Sequence, residues 1–130
     1  MATITETQLR RIIREEISIN TNKIYFDVDK GNKKEFLQKI KSSINAGGGK
    51  FQSIVKGEWG VFGGEVTVKY TNNDGEEYGV DFFTDPEELM SASGYKLPIL
   101  DWLQVTAPDG NNVAVVHFWD ELIKVIQSTN

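Results

Sequence analysis

The chain has 130 residues, 39% apolar and 25% charged, with a net charge of −5. This is the length of one domain with ordinary globular composition, enough to bury a core without cross-links. The absence of cysteine removes disulfides, thiolate metal sites and a thiol nucleophile, the single histidine removes any two-histidine metal site, and the acidic total argues against a general nucleic-acid binder.

The N-terminal residues announce a helix. Thr5 and Gln8 form a capping box, and Ile4 can staple to Leu9. Leu9, Ile12, Ile13 and Ile17 recur at helical spacing, with Glu6–Arg10 and Arg11–Glu15 as i,i+4 pairs. Residues 1–18 are therefore expected as an amphipathic helix ahead of a single α+β domain over 19–130. No run suits a signal peptide or reaches the roughly 20 apolar residues of a membrane span, so a cytoplasmic location without membrane contact is expected.

Residues 23–29 alternate, with Ile24, Phe26 and Val28 on one side and Tyr25, Asp27 and Asp29 on the other, which predicts a half-buried strand. Asn32 and Glu35 open a helix carrying Phe36, Leu37, Ile40 and Ile44, and Gly47-Gly48-Gly49 ends it through a left-handed residue. Strands follow at about 51–55, 65–71 and 76–83. A two-residue Asp74-Gly75 loop would set the apolar faces of the last two strands against each other. A three-residue loop over Asn73-Asp74-Gly75 instead pairs Tyr70 with Tyr78, Val68 with Val80 and Val66 with Phe82, with Gly75 left-handed in a G1 bulge. Asp85-Pro86 opens a short helix to about Ser91. Residues 92–111 carry little pattern beyond a brief helix at Pro98–Leu103 and a turn at Asp109-Gly110. Val113–Phe118 is apolar and β-rich, hence a buried strand, and Trp119, Leu122, Ile123 and Ile126 mark a last helix.

This order predicts an α+β fold: a mostly antiparallel sheet of about five strands with helices on one face. A βαββ start followed by αβ matches a ferredoxin-like plan with an extra strand. Charge is unevenly spread. Residues 1–29 carry four bases and five acids (−1), residues 30–56 seven lysines and Glu35 (+6), and residues 57–130 three lysines and thirteen acids (−10).

Candidate chemistry is sparse. His117 beside Asp120 offers an acid–base pair, against the plainer reading of a residue at a strand end. Asp27, Asp29, Asp81 and Asp85 would need to converge to hold a cation or act as a pair, and otherwise serve turns and caps. Asn72-Asp74-Gly75 fits a hairpin turn better than a calcium loop, because Tyr70 would occupy the first ligand position. Gly47-Gly48-Gly49-Lys50 lacks the preceding strand, the following helix and the Ser or Thr of a phosphate loop. Lys34, Lys39 and Lys41 flank the apolar stripe of their helix and are expected to cover it with their stems. The candidate binding surface comprises Arg10, Arg11 and Arg14 on the first helix, the aromatics Trp59, Tyr95 and Trp102 in irregular segments, and His117.

The segment Ile4-Thr5-Glu6-Thr7-Gln8-Leu9-Arg10-Arg11-Ile12-Ile13-Arg14-Glu15-Glu16 resembles a short leader found at the ends of many tailed-phage proteins from marine sources. The resemblance covers about thirteen residues. It implies a phage-derived protein with a docking or sorting helix, and no catalytic residue. The expected function is thus a non-enzymatic protein-interaction domain, a phage accessory or virion-associated protein, with a protein partner, a homodimer as an option, and no cofactor or metal. The alternatives are a small ligand-binding or regulatory domain and an enzyme using the strand aspartates.

Overall fold

The computed structural model describes residues 22–56, 65–94 and 96–130. The elements run β1 (Phe26–Asp27), α1 (Lys33–Ala46), β2 (Lys50–Lys56), β3 (Glu65–Thr71), β4 (Glu77–Phe83), α2 (Pro86–Ser93), β5 (Ile99–Leu100), β6 (Leu103–Thr106), β7 (Asn112–Val116) and α3 (Trp119–Ser128). The fold is α+β. Five strands form one antiparallel sheet in the order β2-β3-β4-β6-β7, and β1 pairs with β5 in a separate antiparallel ladder.

The sheet is a meander in chain order. A ferredoxin-like plan needs split βαβ crossovers that interleave the strands, so that expectation is corrected: no pair of described strands in the sheet is parallel. The predicted strand over 23–29 is also shorter than its alternation suggested. Ile24, Phe26 and Val28 are buried as expected. However, the Asp27 carboxylate accepts hydrogen bonds from the backbone N–H of Asp29 (3.0 Å) and Lys30 (2.9 Å), folding the chain into an Asx turn that ends β1.

The β3–β4 hairpin has the expected register, Tyr70 opposite Tyr78, Val68 opposite Val80 and Val66 opposite Phe82. Asn72 N–H donates to the Glu76 carbonyl at 3.0 Å, which leaves Asn73-Asp74-Gly75 as the loop, and Gly75 is left-handed at φ +80°. That single register places Val66, Val68, Tyr70, Tyr78, Val80 and Phe82 on one face, with Phe83 on the other opposite Glu65. At the end of α1 the left-handed residue is Gly48 (φ +86°), one position beyond the C-cap Gly47.

The core lies between that sheet face and the helices. α1 packs against α3, β2 and β3, and α3 also meets β7. Phe36 of α1 stacks on Phe26 (4.5 Å between ring centroids) and takes Phe82 (5.2 Å) and Trp119 (5.6 Å) edge-on, so one ring ties β1, β4 and α3 together. Lys39 Nζ lies 5.5 Å from the Trp119 ring centroid and Lys41 Nζ 4.5 Å from that of Phe51, the covering role expected of these lysines.

The segment 92–111 holds β5 and β6 rather than a helix at Pro98–Leu103. Leu100, Leu103 and Val105 are fully buried there. β7 departs from expectation in the other direction. It is the last strand of the sheet, and only Val116 of it is buried; Val113 and Val115 are 43% and 46% exposed.

A polar clasp closes the C-terminal helix onto the hairpin turn. Asn72 is 3% exposed. Its Oδ1 accepts from the N–H groups of Asp74 (3.0 Å) and Glu76 (2.8 Å), and its Nδ2 donates to the Thr129 carbonyl (2.7 Å) and to Glu76 Oε1 (3.2 Å). Asn130 answers from the other side, with Oδ1 accepting from Asn73 N–H (3.0 Å) and Nδ2 donating to the Gly47 carbonyl (2.8 Å).

Candidate functional site

The predicted site residues fall in two groups. Arg10, Arg11, Arg14, Trp59 and Tyr95 lie outside the described residues, as does the helix expected over 1–18. Trp102 and His117 are described and are neighbours in space. Trp102 precedes β6 and His117 follows β7, whose Leu103 and Val116 are cross-strand partners. The Trp102 ring packs edge-on against Phe83 at 5.8 Å.

His117 is exposed, and its Nδ1 is 3.3 Å from the Asp101 carbonyl oxygen. Asp120 is not its partner. Phe118 is the N-cap of α3 and has no side chain to satisfy the helix N-terminus. Asn22 supplies the missing cap from 98 residues away: its Oδ1 accepts from Asp120 N–H at 3.2 Å and its Nδ2 donates to Asp120 Oδ1 at 3.0 Å. Glu121 in the first turn accepts from His117 N–H at 3.2 Å. The acid–base pair is thus replaced by a capping arrangement, and His117 takes the plainer of its two readings.

Three of the four aspartates serve separate local structures, and Asp29 enters only through its backbone N–H in the turn that Asp27 closes. Asp27 closes the Asx turn, and Asp85 caps α2 by accepting from the N–H groups of Glu87 (2.9 Å) and Glu88 (3.2 Å). Asp81 accepts from the Thr67 hydroxyl at 2.6 Å on the face of the sheet away from α1 and α3. Among the described residues no three His, Asp or Glu side chains are grouped as a metal site.

Among the surface hollows, two bear on the candidate site. The first lies on that far sheet face, about 260 Å³, between Thr67, Lys69, Glu77, Gly79 and Thr106. Its floor is Gly79, where a Cβ would come within 2.8 Å of Thr67 Cγ2 and 2.9 Å of Thr106 Oγ1. A Lys69–Glu77 ion pair (3.1 Å) crosses it.

The second hollow is shallow, about 340 Å³, and sits where the β1–β5 ladder meets the start of α3. It is lined by Lys23, Tyr25, Lys96, Leu97, Ile99 and Asp101. Tyr25 and Leu97 are 63% and 65% exposed, the two most exposed large apolar side chains among the described residues. Lys23 also forms a β-bridge with Phe118, which is 36% exposed and does not line the hollow. The alternation in 23–29 already turned Tyr25 away from the core. Leu97 had no such signal, because it lies in the segment with the least pattern. No helix among the described residues is long and apolar enough to cross a membrane.

Compared with known protein families, curated protein sequences and solved structures, the chain matches none.

Proposed function

We propose that this protein is a non-enzymatic protein-interaction domain that binds its partner through the hollow flanked by Tyr25 and Leu97. One observation carries the reading. A fold that fully buries Ile24, Leu100 and Leu122 leaves Tyr25 and Leu97 mostly in solvent on the two sides of one shallow hollow. Exposed apolar groups gathered in one place and rimmed by charge are the pattern of a recognition surface, whereas scattered single ones need no explanation. Lys23, Lys96 and Asp101 supply the charged rim, whose net positive sign favours a partner with an acidic border around an apolar centre. The leader-like segment over 4–16 supports assignment to a phage accessory or virion-associated role.

The experiment is site-specific photo-cross-linking in the native host. A photoreactive residue at Leu97 should trap one defined protein. The same residue at Gln38, exposed on α1, should not, and Tyr25→Ser should abolish the adduct at 97. Equal labelling from both positions would overturn the reading. The virion assignment is tested by mass spectrometry of purified particles, in which peptides of this chain are expected.

A further inference from the structure

We propose that the edge of the molecule formed by α1 and β2 binds duplex nucleic acid through its phosphate backbone, without reading sequence. This edge is separate from the Tyr25–Leu97 hollow, and the inference does not rest on the reading given for that hollow.

Residues 30–56 carry seven lysines against Glu35, and the fold gathers most of them on one side. β2 follows α1 through Gly47-Gly48-Gly49 and returns beside it as the first strand of the sheet, so its outer side is an edge. Lys41 Nζ lies 4.5 Å from the Phe51 ring centroid, which ties the middle of α1 to the start of β2. Lys33, Leu37 and Lys56 line one small hollow of about 150 Å³, which ties the start of α1 to the end of β2. Lys34 lies two turns before Lys41, on the same side of the helix. Lys50, Lys41, Lys34, Lys33 and Lys56 therefore follow one another along an edge about 20 Å long, the length of β2. All but Lys41 are exposed, and among the described residues none of the five is paired with a carboxylate. Glu65 shares the small hollow with Lys33 and Lys56. Glu35 is turned to the other side of α1, one turn from Lys39, which lies over Trp119.

Protection of an open strand edge accounts for Lys50 and Lys56. It does not account for Lys33 and Lys34, which lie on α1. Holding five unpaired cations together costs mutual repulsion, in a protein with 19 acids that could have paired with them, and a row of phosphates offsets that cost. The acidic total speaks against a surface that binds polyanions all round, and the fold confines the positive charge to this edge. The chemistry of the edge then chooses among polyanions. Lysine is a point charge that meets phosphate and carries no base readout. Single strands are held by stacking bases on open aromatic rings, whereas Phe51, the ring on this edge, lies under the Lys41 ammonium. Membrane surfaces call for apolar groups that enter the interface. Tyr25, Leu97, Val113, Val115 and Phe118, the exposed large apolar side chains among the described residues, all lie outside α1 and β2. A row of cations with no open aromatic or apolar neighbour fits the phosphates of a duplex.

Fluorescence anisotropy of the full chain with a labelled DNA duplex of about 20 base pairs, over about 20–100 mM NaCl, tests this. Weak binding is expected, with a Kd on the order of 10⁻⁵ M at about 50 mM salt and a slope of log affinity against log salt of about −3 to −4. Two duplexes of unrelated sequence should bind alike. The double variant Lys34→Gln/Lys56→Gln should weaken binding at least about tenfold and bring the slope about 2 closer to zero. Both side chains are exposed and unpaired among the described residues, so the fold is retained. Lys124→Gln on α3 should change neither quantity, and nor should Lys96→Gln in the Tyr25–Leu97 hollow, so failure here is separable from failure of that hollow. Absence of binding at about 20 mM NaCl, or an affinity indifferent to the double variant, would overturn the proposal. So would tighter binding of the matching single strand, or of vesicles containing phosphatidylserine at equal phosphate concentration.

Discussion

Removing the Asn72 side chain tests whether a buried polar clasp, and not only apolar packing, holds α3 against the sheet. Three of its four hydrogen bonds go to backbone groups: Asp74 N–H, Glu76 N–H and the Thr129 carbonyl. Asn72→Ala strands all three. A hydrogen bond contributes about 0.5–1.5 kcal/mol net, and more when the abandoned group stays dry. Water can reach Asp74 on the exposed turn, which discounts that bond, so the expected loss is about 2–3 kcal/mol, on the order of 10 °C in Tm. Asn73→Ala is the control. Only the backbone of Asn73 is used, and its side chain is exposed, so a change within about 0.5 kcal/mol is expected. Asn72→Asp sharpens the test. It keeps the acceptor toward Asp74 and Glu76 but turns the donor into an oxygen facing the Thr129 carbonyl and the Glu76 carboxylate. Its folded-state pKa should therefore rise above the unfolded value of about 3.9. A raised pKa contributes stability below the unfolded pKa that is lost as pH rises through the folded one. The variant should thus recover relative to wild type as pH falls toward 4, while Asn72→Ala should not. Urea unfolding at several pH values measures both, and a loss below about 1 kcal/mol for Asn72→Ala would refute the clasp.

Asn22→Ala removes the distant cap of α3 and should cost about 1 kcal/mol in chemical unfolding, with a matching rise in amide exchange at Asp120. Gly49→Ala places a Cβ within 2.9 Å of the Tyr70 ring and 3.0 Å of Ile44 Cγ2, and should cost about 1–3 kcal/mol by thermal melt through overpacking. Burial pushes the Tyr70 hydroxyl up from its ordinary pKa, against the opposing hydrogen bond with Thr129. Its contribution is therefore fully present below about pH 10 and is lost as pH rises through the elevated value. Tyr70→Phe should lower stability near neutrality by about 1 kcal/mol and flatten the decline above pH 10.

Legibility followed the strength of the pattern. The β3–β4 register could be read because only one loop length brings Val66, Val68 and Tyr70 onto the same face as Phe82, Val80 and Tyr78. α1 and α3 could be read because their buried side chains recur at helical spacing. β5 and β6 could not, since two and four residues are too few to establish a period of two, and Pro98 imitates a helix start. Val113–Val116 misled for a related reason: apolar residues on both faces read as burial, but strand order decides burial, and β7 is last in the sheet. Of the candidate surface, Tyr25 was implied by alternation and Trp102 and His117 were chosen as residue types. Their proximity came from a cross-strand pairing that no local pattern encodes.

The charge split along the chain becomes a split in space, and this bears on how copies could meet. The lysine-rich stretch 30–56 forms α1 and β2, which pack together, while the acids of 57–130 are spread over the later elements. Opposite charge at the two sides of a molecule favours head-to-tail contact. Such contact is strongest at low ionic strength and fades as the screening length falls to about 8 Å near 0.15 M salt. Sedimentation from about 20 mM to 500 mM NaCl tests this: any head-to-tail association is expected to weaken across that range, and association that holds or strengthens would refute the charge argument.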